Sequence, residues 1–403
     1  MAHRPNVLLI VFDTLSAKAL KTRLGTLPNL QAFRSKAICF DNAMTCSPEA
    51  GPSRATLFTG LDMAAHGVWS DGVSLPKREI ILPEVFGRNG YATWLVGRRH
   101  LAGVAHWTTE HARPYEYHRF DWAHGPLHRS RQNAYLTWLQ RNAPEAYAEI
   151  FPMQANPDDT KITEDQRVAM AALPDELSFN SWVADQSIAH LGAYSDRPFL
   201  GIVGFVIGAT GGARETAGPC FEDISERALA QCDAALARIV AALPADTIVV
   251  VTSGRGDNGR TDIPLMLLLP DQPPQIRSEI VGAQDIAPTL YDLAGLLPPP
   301  RLQGGNLLTQ PSRGWALSRL RHPDLPHETT LVEQDWKLVM TQSQEDPIAT
   351  TSYQLYDLRA DPNALRNLAT APEHADSLEH MIDKMIDTKV ALEDRTEPRI
   401  ASF

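Results

Sequence analysis

Apolar residues fall along this chain in two alternating periodicities. Residues 7–12, 93–97, 199–206, 247–252 and 265–269 are short, nearly continuous apolar runs. Such runs suit strands buried on both faces of a largely parallel sheet. Between them the apolar positions recur at spacings of three and four. Across 225–243, Leu229, Cys232, Leu236, Ile239, Val240 and Leu243 make one helical stripe. Segments 178–191 and 285–293 read the same way. This alternation predicts a doubly wound α/β sandwich. The texture changes around Leu297-Pro298-Pro299-Pro300. Beyond it, 329–340 and 353–358 read as strands and 372–389 as a closing helix. The predicted division is a main α/β domain over 1–300 and a smaller C-terminal subdomain over 301–403. A variable insertion at about 102–170 is rich in His, Trp and Arg. Insertions in such folds crown the carboxyl ends of strands, where ligands bind.

Composition narrows the partners. With 403 residues and 43% apolar content the chain has ample material for a large core. A net charge of −11 argues against a nucleic-acid or anionic-membrane partner. The N-terminal apolar run 7–12 is too short for a secretory leader and far too short to span a bilayer. The expectation is therefore a cytoplasmic chain. Four cysteines (Cys39, Cys46, Cys220 and Cys232) contain no Cys-x-x-Cys pair and read as reduced, buried thiols.

Chemistry enters at Ala50-Gly51-Pro52-Ser53-Arg54, which runs on to Leu57-Phe58-Thr59-Gly60. This stretch resembles the active-site signature of the type I sulfatases, within the alkaline phosphatase superfamily. That family writes Cys-x-Pro-Ser-Arg, then a helix ending Leu-x-Thr-Gly, and oxidises the Cys to a formylglycine nucleophile. The resemblance extends along the chain. Pro5 to Asp13 resembles the family's first strand with its metal-binding Asp, and Leu27-Pro28-Asn29-Leu30 the next helix. Asn89-Gly90-Tyr91-Ala92-Thr93 leads to Gly97-Arg98-Arg99-His100-Leu101, where the family has Gly-Lys-Trp-His-Leu. Asp285-Ile286-Ala287-Pro288-Thr289 and Leu355-Tyr356-Asp357-Leu358 resemble late signatures. The resemblance implies a mixed sheet sandwiched by helices, with a small antiparallel C-terminal subdomain, and sulfate-ester hydrolysis at a calcium ion.

The departures sit at the positions that would carry that chemistry. Ala50 stands at the nucleophile position, and a methyl group can neither attack nor ligate. A shifted register would put Cys46 there, but it loses the Ser-Arg pair. Asp13 is kept and followed by Thr14. The family's Ser-Asp-His-Gly is here Ser253-Gly254-Arg255-Gly256, so one ligand has no side chain and the other is a permanent cation. The Pro-His-x-Pro of the family is replaced by the stretch Phe205-Val206-Ile207-Gly208-Ala209. Asp13 is the only clear surviving family ligand, so no metal and no cofactor is expected. Arg255 is expected to take the metal's place by pairing with Asp13.

His106, His111, His118, His124 and His128 match no metal spacing and read as surface or insertion-lining residues. Cys46 as a replacement thiol nucleophile lacks a general base in view. The resulting expectation is a non-catalytic relative that binds an anionic small molecule or a partner protein. Arg54, Arg98, His100 and Arg255 would line the pocket, with Asp13, Thr14 and Ser53 beside them. The alternatives are metal-independent chemistry on an anionic small molecule, with His100 as acid or base and Arg54 and Arg98 as clamps, or a non-standard metal-dependent hydrolase of sulfate or phosphate esters. A homo-oligomer or a complex with a related chain is expected.

Overall fold

The computed structural model describes residues 4–103, 108–152, 162–208, 223–346 and 350–393. Its centre is an eight-stranded sheet. In chain order the strands are β1 (Asn6–Phe12), β2 (Ile38–Met44), β3 (Ala92–Gly97), β4 (Arg119–Trp122), β5 (Phe199–Phe205), β6 (Thr247–Ser253), β7 (Leu265–Leu268) and β8 (Gln275–Gly282). Their order across the sheet is β4-β3-β5-β1-β6-β7-β2-β8. Strand β1 lies at the heart, parallel to β5 on one side and β6 on the other. Alternate residues of β1 feed two separate cores. Leu8, Ile10 and Phe12 pack on one face, and Val7, Leu9 and Val11 on the other. That is why the run carries no polar alternation.

The sheet is mixed rather than parallel throughout: β7 runs antiparallel to both β6 and β2. Three strands escape the apolar-run criterion. Strand β2 carries Asp41 and Asn42, β8 is exposed over its first residues, and β4 has four residues. The insertion is also less peripheral than expected. Strand β4 joins the main sheet beside β3. Tyr135, Leu136 and Leu139 of the helix Ala134–Asn142 belong to the core.

The second sheet is antiparallel, in the order β12-β11-β10-β9. It comprises β9 (Trp315–Leu320), β10 (His327–Glu333), β11 (Trp336–Gln342) and β12 (Ser352–Asp357). The predicted single strand over 329–340 is in fact a hairpin. Gln334 adopts φ 49 and turns β10 back into β11. The helix Ala375–Glu393 covers one face, packing Met381, Met385 and Leu392 on Leu317, Leu331, Leu338 and Leu355. Arg319 on β9 joins the two sheets. Its backbone N–H donates to the Cys46 carbonyl at 2.8 Å, and its guanidinium pairs with buried Asp62. No described helix is long and apolar enough to cross a membrane.

Candidate functional site

The carboxyl ends of β1, β3, β5 and β6 converge with the first turn of the helix Ala50–Thr59. This edge is where open α/β sheets bind ligands. Asp13 follows β1 directly, and its position is fixed from two sides. Its N–H donates to the Phe205 carbonyl at 3.0 Å, and its Oδ1 accepts from the Ile207 N–H at 2.8 Å. Arg98 follows β3 and donates from Nη1 to Asp13 Oδ2 at 2.9 Å. Both residues are buried.

Two glycines make that ion pair possible. Gly97 has φ 90, and a Cβ there would lie 2.2 Å from the Gly204 carbonyl oxygen. A Cβ on Gly204 would in turn lie 2.2 Å from the Arg98 carbonyl oxygen. With no side chain on either, β3 and β5 close up and Arg98 is aimed at the end of β1. The sequence reading sets Arg255 against Asp13. In the structure Asp13 pairs with Arg98, whose backbone that close approach anchors. Arg255 is buried nearby, and its charge acts on Glu49, Arg54 and His100.

Arg54 projects from the helix one turn in and is fully buried. Its Nη1 donates to the Arg98 carbonyl at 2.9 Å, while Nε and Nη2 meet no hydrogen-bond partner among the described residues. Burial, followed by the repulsion of Arg98, pulls its pKa down to about 10. Gly254 gives it room, since a Cβ at 254 would lie 2.9 Å from Arg54 Nε.

Ala50 is the first residue of this helix and is nearly buried. The helix has no side-chain cap from Glu49, its N-cap residue. Asp71 supplies the missing carboxylate, its Oδ1 accepting from the Gly51 N–H at 2.6 Å. Glu49 stands against it, its Oε1 accepting from the Asp71 N–H at 3.3 Å. The Glu49 side chain is buried, and its Oε2 has no partner among the described residues. Burial and the neighbouring Asp71 raise its pKa to about 8. Neither carboxylate belongs to a recognisable motif. The signal available in the sequence was Glu49 immediately before Ala50; Asp71 is brought in by the tertiary fold alone.

His100 links the carboxylates to the guanidinium groups. It sits at φ 62, with its N–H donating to Glu110 Oε2 at 3.0 Å. Its Nε2 lies 3.6 Å from Asp71 Oδ1, and its ring centroid is 4.9 Å from that of His124. His124 Nε2 accepts from Arg98 Nη2 at 3.0 Å, which fixes the proton of a neutral ring on Nδ1. Burial pushes the His100 pKa down to about 3 and that of His124 well below its usual value. At neutral pH His100 is therefore the neutral imidazole, with one ring N–H, and is a very weak base.

Several expectations are corrected here. His124 and His128 are buried, with their rings 5.1 Å apart, rather than at the surface. His111 and His118 are exposed, in line with the surface reading, and His118 also hydrogen-bonds Thr93. His106, Ala209 and Cys220 lie outside the described residues. Thr14 and Ser53 are committed internally: Thr14 Oγ1 donates to the Gly256 carbonyl at 3.1 Å, and Ser53 Oγ to the Ser47 carbonyl at 2.6 Å. Cys46 contacts Thr56 Oγ1 at 2.9 Å, and burial raises its pKa to about 12. It is an inert core thiol.

The described residues do not fit a sulfatase calcium ion. Hard cations need several oxygen ligands. The Asp13 carboxylate faces Arg98, Ala50 and Gly254 have nothing to offer, and Arg255 repels a cation. Among the described residues, no three His, Cys, Asp or Glu side chains are placed to hold a metal.

Comparison with known proteins agrees with the fold. The Sulfatase family model matches residues 5–178. The uncharacterized sulfatase YidJ of Escherichia coli K12 is 25% identical, over 95% of this chain and 87% of its own length. Arylsulfatase K of Bos taurus is 23% identical, over 95% and 82%. The crystal structure of the phosphonate monoester hydrolase of Agrobacterium radiobacter superimposes with a TM-score of 0.74 at 22% identity, over 96% of each chain. With the Sulfatase family model matching residues 5–178 and sulfatases aligned along almost its whole length, the chain is similar to the sulfatases throughout.

Proposed function

We propose that this protein is a sulfatase-fold binder of an anionic small molecule that does not hydrolyse sulfate esters by its family's route. The observation that carries the reading is Arg54: a fully buried guanidinium with Nε and Nη2 unpartnered among the described residues. Buried donors normally find acceptors, and a guanidinium presents its nitrogens in a fork that matches sulfate, phosphate or carboxylate. Ala50 supplies no nucleophile, and the Arg98–Asp13 ion pair takes up the surviving family ligand. The rewired-enzyme alternative loses support from His100, whose buried imidazole stays neutral.

The test has two arms. Aryl sulfates and aryl phosphates, with calcium, manganese or zinc added, give no turnover, and calcium or EDTA leaves the melting temperature unchanged. Sulfate or phosphate, by contrast, stabilises the wild-type protein but not Arg54→Gln. Metal-dependent turnover that vanishes in Asp13→Ala would sink the proposal. Ala50→Cys co-expressed with a formylglycine-generating enzyme stays inactive, because the metal ligands are missing as well. Retention of so large a fold also supports self-association or pairing with a related chain in the cytoplasm. Light scattering that finds a strict monomer with nothing co-purifying counts against this part.

A further inference from the structure

The anion site has a second half of opposite charge. Glu49 and Asp71 meet at the first turn of the helix Ala50–Thr59, and Arg54 leaves the same helix one turn later. At 1.5 Å per residue, Gly51 and Arg54 are about 4.5 Å apart along the axis. His100 spans the interval, with Asp71 Oδ1 3.6 Å from its Nε2 and the His124–Arg98 pair behind its ring. Each half holds a buried polar side chain with atoms that meet no partner among the described residues: Oε2 of Glu49 on the acidic side, and Nε and Nη2 of Arg54 on the basic side. An isolated anion would satisfy one half and leave the other carboxylate oxygen stranded.

We propose that the site takes a compact dipolar ligand, with an ammonium on Glu49 and Asp71 and a phosphate, sulfonate or sulfate on Arg54. The inference rests on the anion-binding reading and goes beyond it by assigning the cationic end. Glu49 reports the event. Its raised pKa keeps it largely protonated at pH 7 in the free protein. An ammonium placed against it favours the carboxylate, so binding expels a proton to solvent. A plain anion, arriving beside a carboxyl group, favours the protonated form and expels none from Glu49, so any proton lost by the ligand itself persists in Glu49→Gln.

The experiment is titration calorimetry of the full chain at pH 7, in two buffers of different ionisation enthalpy. The probes are O-phosphoethanolamine, inorganic phosphate and ethanolamine. O-Phosphoethanolamine is expected to bind at least about tenfold more tightly than phosphate, with proton release. Ethanolamine alone binds weakly. In Asp71→Asn the tenfold preference disappears while phosphate affinity is kept. That side chain is part-exposed, and the amide oxygen can still accept from Gly51. Glu49→Gln additionally abolishes the proton release that sets O-phosphoethanolamine apart from phosphate. If phosphate binds as tightly as O-phosphoethanolamine, or without any difference in proton release, the dipolar assignment is overturned and the anion reading stands. If neither probe binds, both fall.

Discussion

Removing Arg98 tests the arrangement at its centre. Arg98→Met keeps the length of the side chain and deletes the guanidinium. Asp13 then keeps the Ile207 N–H at 2.8 Å but loses the 2.9 Å ion pair, in a site where both partners are buried. Breaking one side of a buried pair costs about 3–5 kcal/mol, because a desolvated charge is left behind. The surviving backbone donor puts Arg98→Met near the lower end, at about 3 kcal/mol. The reciprocal change, Asp13→Leu, leaves Arg98 uncompensated beside Arg54 and should cost more. The double variant removes both charges and should recover about 2–3 kcal/mol relative to the sum of the single changes. Urea unfolding followed by tryptophan fluorescence, with the four proteins compared at one pH, reads the cycle. Single losses below about 1 kcal/mol, or strict additivity, would refute the claim that Arg98 holds the Asp13 carboxylate in a dry site.

Two further outcomes follow from the same geometry. Gly204→Ala drives a methyl to within 2.2 Å of the Arg98 carbonyl oxygen, so it should cost about 1–3 kcal/mol and weaken phosphate binding; an unaffected melting curve would mean that β3 and β5 are not in close approach. The pH dependence has opposing limbs. The folded-state pKa of His100 lies below its unfolded value, so its contribution is lost as pH falls from about 6.5 towards 3. The folded-state pKa of Glu49 lies above its unfolded value, so its contribution is lost as pH rises from about 4.5 towards 8. Glu49→Gln should therefore flatten the alkaline limb alone, as measured by denaturant midpoints across pH 4–9; a matching change on the acid limb would point to another group.

The parts of the fold that were legible in the sequence are those where one strand serves two cores. Strands β1, β5 and β6 are apolar on both faces, so burial writes itself into an unbroken run. Strand β2 was not legible, because Asp41 and Asn42 interrupt it. The reversal at Gln334 was missed because a two-residue turn of Gln and Asp carries no glycine, although Gln334 takes positive φ. At the site, Ala50, Arg54, Arg98, His100, Asp13 and Arg255 could be gathered by resemblance to a motif. The Arg98–Asp13 pairing could not, since Arg98 reaches Asp13 only because β3 approaches β5 so closely. Asp71 and His124 were invisible for the same reason: their roles come from tertiary placement beside Gly51 and Arg98.

The space above Gly254 has an evolutionary consequence. Any side chain there must displace the Arg54 guanidinium, and any new group at the helix start must contend with Asp71 on the Gly51 N–H. Substitutions at 50, 54, 71 and 254 are therefore not independent steps. A single change towards the sulfatase signature meets occupied space and gains no chemistry, so a path between the two kinds of site has to cross through paired changes. Such coupling makes the present arrangement hard to leave one mutation at a time. Related chains should accordingly carry these positions as alternative sets, with few mixtures of the two.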